Sequence, residues 1–158
     1  MSEPGNEHVG HLLRIAQQVH TRMWANEVSA DVTSPQFRLL RVLEESPHID
    51  QRTATQLARL DRSTGSELIE RLSRYGYVRR RRDGADRRRY LLDLTPTGQQ
   101  LLDELGPSAI RLHTRMLELV SEELRQPFLA ALIQFVESGD SGERTEQFPP
   151  VASQADRH

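Results

Sequence analysis

The chain of 158 residues contains no cysteine. Composition alone therefore excludes disulfides, thiolate zinc sites and thiol redox switching. Lysine is absent too: all 21 basic residues are arginine, which fits the codon usage of a GC-rich genome and carries no chemical message by itself. No apolar run approaches the roughly 18 residues that a membrane helix needs, and the start, MSEPGNEHVG, lacks the charged-then-apolar order of a targeting segment. A soluble, cytoplasmic protein without membrane contact is expected. Serine and histidine are present, but no nucleophile elbow or helical metal motif accompanies them, so neither an enzyme nor a cofactor is expected. Glu7, His8 and His11 lie within one turn, with His113 or His158 as a conceivable further metal ligand. No repeated His/Glu spacing supports a metal, and surface residues near a chain end are the plainer reading.

What is present is unevenly distributed. The net charge is −2, yet residues 52–89 hold twelve arginines against five acids, a local charge of +7. The remainder holds nine arginines against eighteen acids, a local −9. Attraction for a polyphosphate depends on where charge sits rather than on its sum. A charge run is ordinarily a solvated face, but this one coincides with a helix, turn, helix and hairpin pattern.

From His8 to Glu27 apolar residues recur at helical spacing on more than one face, predicting a helix with two neighbours. Thr33 or Ser34 followed by Pro35 starts a second helix carrying Phe37, Leu39, Leu40, Val42 and Leu43 and stopping before Pro47. Asp50 caps a third, with Ala54, Leu57 and Ala58 inward; Asp61 caps a fourth, with Leu68, Leu72 and Tyr75 as its buried stripe. Gly65 extends that stripe by permitting close helix packing, and Gly76 ends the helix by admitting a left-handed residue. Asp83-Gly84 is a turn signal between two strand-like arms, VRRRR and RRRYLLDL. Thr95-Pro96 opens a long helix that Gly106-Pro107 interrupts, and a last helix follows Ser121. Residues 101–136 carry more apolar surface than the reading module can cover, which implies a helical dimer interface shared with the first helix. From Ser138 the polar, Pro/Gly-rich tail is expected to be disordered.

The fourth helix and the hairpin carry the candidate chemistry. Ser63, Thr64 and Ser66 put small hydroxyls near the helix N-terminus, where base edges and phosphates can approach. Thr64, Glu67, Arg71 and Arg74 share one outward face, with both arginines placed for phosphate or guanine. Glu67 would be repelled by phosphate and suits a cytosine amino group, or else pairs with Arg71 as a surface salt bridge. For Glu70 the salt bridge with Arg74 is the preferred reading. Around the hairpin tip, Arg82, Arg87, Arg88 and Arg89 are assigned to DNA, the tip being narrow enough for a minor groove. Asp86 is better placed to hold the turn with Arg88.

The segments TSPQFRLLRVL, ATQLARLDRSTGSELIERL, RYGYVRR and DRRRYLLDLTPTGQQLL, spread over Thr33 to Gln99, resemble the multiple-antibiotic-resistance regulator (MarR) family of winged-helix repressors. The resemblance extends over most of residues 8–137. It implies a mainly α fold with a small β wing: a winged helix-turn-helix joined to a helical dimerisation region built from the first, fifth and sixth helices. It puts base recognition on Ser63, Thr64, Ser66 and Glu67, and minor-groove contact on Arg87 and Arg88. Glu67 departs from the basic or neutral residue frequent there, so no operator sequence transfers, and the missing cysteine excludes peroxide-sensing chemistry.

The resemblance also implies a crevice for small anionic or aromatic molecules between the dimer helices and the reading module. His20, Met23, Trp24, Phe37, Arg41 and His113 are the residues placed there, a set suited to an aromatic carboxylate or its acyl thioester, such as an acyl-CoA-like effector. Alternatively Trp24 and Phe37 are simple core and Arg41 is solvated. The expected organisation is an N-terminal dimerisation helix (1–33), a DNA-binding domain (34–96), C-terminal dimerisation helices (97–137) and a tail (138–158). The expected function is a homodimeric repressor that binds a palindromic double-stranded operator and is released by a small effector. The alternative is a winged-helix module for nonspecific DNA or a protein partner, with no effector.

Overall fold

The structure, a computed structural model, describes the backbone of residues 7–147 and the side chains of residues 8–140. The elements run α1 (Glu7–Glu27), α2 (Ser34–Glu45), β1 (Ile49–Asp50), α3 (Gln51–Leu57), α4 (Arg62–Arg74), β2 (Val78–Arg82), β3 (Tyr90–Leu94), α5 (Pro96–Glu118) and α6 (Glu122–Gln147). The chain divides into two compact units between Thr114 and Arg115. The first holds the three-stranded antiparallel sheet, in the order β1-β3-β2.

Each short helix begins on a side-chain oxygen. Thr33 caps α2 in a reciprocal pair with Gln36, whose Oε1 accepts the Thr33 amide at 2.9 Å. The Asp50 carboxylate accepts the Thr53 N–H and that of Asp61 the Thr64 N–H, both at 2.9 Å. Such caps satisfy amides that have no partner within the helix and contribute about 0.5–2 kcal/mol each. Thr95 does the same for α5, its Oγ1 accepting from Gly98 N–H and donating to the Gly76 carbonyl. At Gly76 φ is +77°, and that left-handed residue lets the chain leave α4 for β2.

The core gathers Leu39, Leu40, Val42 and Leu43 of α2, Ala54 and Ala58 of α3, Ile69 and Leu72 of α4, and Val78, Leu92 and Leu102. Burial of each large aliphatic side chain stabilises by about 1.5–3 kcal/mol. Gly65 lies against Thr55, and a Cβ built there would stand only 2.9 Å from the Thr55 Cβ and closer still to its other atoms. The bare glycine is thus what seats α4 on α3.

Several expectations are corrected. The buried row of α4 is Gly65, Ile69 and Leu72, with Leu68 half-buried and Tyr75 61% exposed. Gly65 and Leu72 lie inward as expected, Ile69 takes the place expected of Leu68, and the row stops at Leu72 because α4 ends before Tyr75 reaches the core. Leu57 is exposed while Thr55 is buried, since α3 is only two turns long and turns its Ala54/Thr55/Ala58 edge inward. Strand β1 escapes the sequence pattern because two residues, paired Ile49 to Leu92 and Asp50 to Leu91, carry no periodicity. Arg87 to Arg89 belong to the hairpin loop and not to its return strand, which begins at Tyr90; Asp83 N–H donates to the Arg89 carbonyl at 3.0 Å to close that loop. Pro107 does not break α5, which runs through it. Finally, α6 continues past Ser138 to Gln147: extending an existing helix needs far less than starting one, and no proline intervenes. The rest of the expected tail, 148–158, lies outside the described residues.

In the second unit Arg125 Nε donates to the carbonyls of Leu117 (3.0 Å) and Val120 (3.1 Å), satisfying the end of α5 as the chain turns into α6. Leu124, Phe128, Leu132, Ile133 and Phe135 stand exposed along α6. In the first unit Val9, Leu12, Leu13 and Ile15 do so along α1.

Candidate nucleic-acid interface

Helix α4 presents Ser63, Ser66, Glu67, Arg71 and Arg74 to solvent, with Thr64 half-buried beside its cap. The Asp61 carboxyl is held below its usual pKa by hydrogen bonds from the Thr64 side chain and amide. Arg74 Nη2 meets Glu70 Oε1 at 3.2 Å, the expected i,i+4 bridge, but both side chains are about two-thirds exposed or more. Such a pair is worth only a few tenths of a kcal/mol, so a phosphate could draw Arg74 away. Among the described residues no ion pair joins Glu67 to Arg71, which leaves the Glu67 carboxylate outward and unmatched.

The wing arginines differ in their surroundings. Alternation along β2 sends Arg79 and Arg81 to one face and Arg80 and Arg82 to the other. Arg80 and Arg82 flank the Tyr90 ring, 5.3 and 5.7 Å from its centroid. Arg81 Nε donates to Asp93 at 2.8 Å, Arg79 lies 3.9 Å from the same carboxylate, and His48 meets it through both its backbone N–H and its ring Nδ1. Asp93 is 4% exposed. Burial pushes its carboxyl up, but the hydrogen bonds and charges of Arg81 and His48 prevail and hold it below the usual carboxylate range. Arg89 is bound to Asp50 at 2.6 Å, so of the four arginines assigned around the tip it is the one that an acid engages among the described residues. Arg87 and Arg88 project from the exposed loop, where Asp86 Oδ1 accepts the Arg88 backbone N–H at 2.9 Å. Asp86 therefore holds the turn through the backbone and not through the Arg88 guanidinium.

Asp93, Asp50, Gln51 and Tyr90 shape this surface and were not singled out for it from the sequence. The available signal was an acid inside an otherwise apolar strand, YLLDL, beside a partner strand, VRRRR, that is arginine after its first residue.

The effector candidates are partly brought together. Trp24 is 4% exposed, donates from Nε1 to the Val32 carbonyl at 2.6 Å, and packs against Phe37 at 5.3 Å between centroids and His20 at 6.3 Å. Burial, and secondarily the nearby His113, lowers the His20 pKa. Met23 is half-buried on the same helix and His113 is exposed. Arg41 turns instead to Glu44 at 2.5 Å and Glu45 at 3.4 Å. Among the described residues no cluster of three metal-ligating side chains forms; the Glu7 side chain and His158 lie outside them. Nor is any described helix long and apolar enough to cross a membrane.

A short helix set at a turn before a second, outward-facing helix, followed by an arginine-edged hairpin, defines a winged helix-turn-helix DNA-binding protein. The MarR family model matches residues 30–89. The transcriptional regulator HosA of Escherichia coli is 32% identical over 119 residues, covering 75% of this chain and 87% of that one. The chain belongs to the MarR family of transcriptional regulators, and it is not an enzyme. Among solved structures it is similar to the Streptomyces coelicolor regulator PcaV in complex with its natural ligand, at 34% identity and TM-score 0.79 over 88% of this chain and 99% of that one. It is also similar to Bordetella bronchiseptica BpsR, described in terms of regulation of DNA binding by 6-hydroxynicotinic acid, at 28% identity and TM-score 0.73 over 82% and 98%.

Proposed function

We propose that this regulator acts in the cytoplasm as a homodimeric repressor, gripping a palindromic operator through two copies of α4 and the wing. The observation that carries the proposal is the contrast within the wing: five arginines lie against Asp93, Asp50 or Tyr90, while Arg87 and Arg88 extend from the loop tip. A built frame holding out two guanidinium groups beside the Ser63–Arg74 face suits one groove for the helix and the adjoining one for the tip. The exposed apolar rows of α1 and α6 support association with a second copy, because rows of that length seldom stay wet.

Release is assigned to a small aromatic carboxylate or its thioester. PcaV is described in complex with its natural ligand and BpsR as regulated by 6-hydroxynicotinic acid, itself an aromatic carboxylic acid. In this chain the Trp24, Phe37 and His20 rings, with Met23 and His113 nearby, form the side of the site that would receive the ring. Arg41 joins it only by leaving Glu44 and Glu45. The ligand need only prefer a dimer geometry in which the two α4 helices no longer match grooves about 34 Å apart.

The test is binding to the protein's own upstream region and to random duplex at two salt concentrations, with and without aromatic acids chosen by thermal shift. Preference that survives higher salt, and is abolished by a stabilising acid, is expected. Equal loss on both duplexes with no responsive acid would instead leave a nonspecific module.

A further inference from the structure

Gln51, the first residue of α3, touches both parts of the reading surface. Its Nε2 lies 3.1 Å from Ser66 Oγ on α4, and its Oε1 lies 3.4 Å from Arg80 Nη2 on β2. A guanidinium has only donors, so the amide must turn its oxygen to Arg80 and its NH2 to Ser66. Ser66 Oγ is thereby made an acceptor. Its own proton finds no protein acceptor among the described residues, and Ser66 is exposed on the outward side of α4.

From this geometry we propose that Gln51 is a specificity-determining positioning residue: by donating to Ser66 it orients the Ser66 hydroxyl to donate to the base edge it meets. The inference rests on the reading of α4 as the helix that enters the major groove. There, purine N7, guanine O6 and thymine O4 accept, whereas cytosine N4 and adenine N6 donate. Accepting from Gln51 leaves Ser66 its proton and one lone pair. An acceptor edge takes that proton, whereas a donor edge is met only through the remaining lone pair with the proton left unused, so the wild-type chain favours an acceptor at the Ser66 position. Gln51→Glu reverses the arrangement. A carboxylate only accepts, so it takes the Ser66 proton and leaves Ser66 an acceptor toward DNA, while its charge still matches Arg80. An acid in the first turn of a helix is favourable, so the substitution preserves α3.

The experiment is selection from a randomised duplex library with the wild-type chain, Gln51→Glu, Ser66→Ala and Arg71→Ala, with melting temperatures measured alongside. The expected result is one base pair per half-site at which Gln51→Glu moves the preference from an acceptor edge to a donor edge. The change should be about tenfold, the discrimination of a single base-edge contact, with the rest of the motif unchanged. Ser66→Ala should make that same base pair indifferent. A merely structural Gln51 would lower affinity uniformly, so identical motifs from the wild type and Gln51→Glu, or a preference that persists in Ser66→Ala, overturn the inference. If the wild type enriches no motif and Arg71→Ala binds duplex as tightly as it does, the reading of α4 itself fails and takes the inference with it.

Discussion

Asp50 uses its two carboxylate oxygens for different tasks: Oδ1 accepts the Thr53 amide that begins α3, and Oδ2 holds the Arg89 guanidinium at 2.6 Å. One side chain thus ties the start of the helix-turn-helix to the far end of the wing loop.

That double role makes a stability experiment informative. Burial raises the Asp50 pKa, but hydrogen bonds from Thr53 and Arg89 outweigh it and the carboxyl is held below its ordinary value. A depressed carboxyl contributes stability that is present above the unfolded pKa and lost as pH falls through the folded one. The same sign holds for Asp93. We expect thermal stability to decline as pH drops below the ordinary carboxylate range, and Asp50→Asn or Asp93→Asn to flatten that decline. Asp50→Ala should destabilise at neutral pH by about 1 kcal/mol, the loss of a helix cap. An unchanged melting temperature would show the cap and ion pair to be idle.

Arg88 and Arg89 are neighbours with different surroundings, and their substitution should separate binding from folding. Arg88→Ala is expected to weaken operator binding and lower the slope of log affinity against log salt by about one, leaving the melting temperature in place. Arg89→Ala, which strands Asp50, should lower stability and change the salt slope less. Unchanged DNA affinity in Arg88→Ala would remove the wing-tip assignment.

Leu132 lies in the exposed apolar row of α6. Leu132→Asp should split the dimer, because a carboxylate in a dry interface is strongly disfavoured. Sedimentation decides it: a variant that still runs as a dimer argues against α6 as the interface.

Gly65→Ala should destabilise by about 1–3 kcal/mol, the usual penalty for overpacking. The added methyl would collide with Thr55, which is itself held by its Oγ1 donating to the Gln51 carbonyl at 2.8 Å. Because that contact sets α4 on α3, DNA binding should weaken with stability, and Thr55→Ser in the same chain should restore part of both. Calorimetry that finds no loss would mean α4 can shift without harm.

Much of this was legible in the residues. Thr33, Asp50 and Asp61 as caps, Gly76 as the exit from α4, and the arginine concentration at 52–89 are local features, governed by backbone geometry and by charge order along the chain. The family was legible for the same reason, since its helix pair and wing-to-helix junction are contiguous strings. Periodicity served less well in α3 and α4. Over two to four turns so few apolar positions do not fix the inward face, so the pattern favours Leu68 over its neighbour Ile69 and Leu57 over Thr55, and Tyr75 falls beyond the last residue of α4.

The sequence by itself determined where helices start and stop, which segment is basic, and hence that a helix and a hairpin share one stretch of the chain. Only the tertiary structure decided which charges are spent. Asp50 and Asp93 neutralise particular arginines across separations of 39 and 12 residues, Gln51 reaches 15 residues to Ser66, and Arg87 and Arg88 stay clear of all of them. Such pairings follow from how β3 lies between β1 and β2 and from the 3–4 Å reach of a hydrogen bond or ion pair. No spacing rule along the chain encodes them.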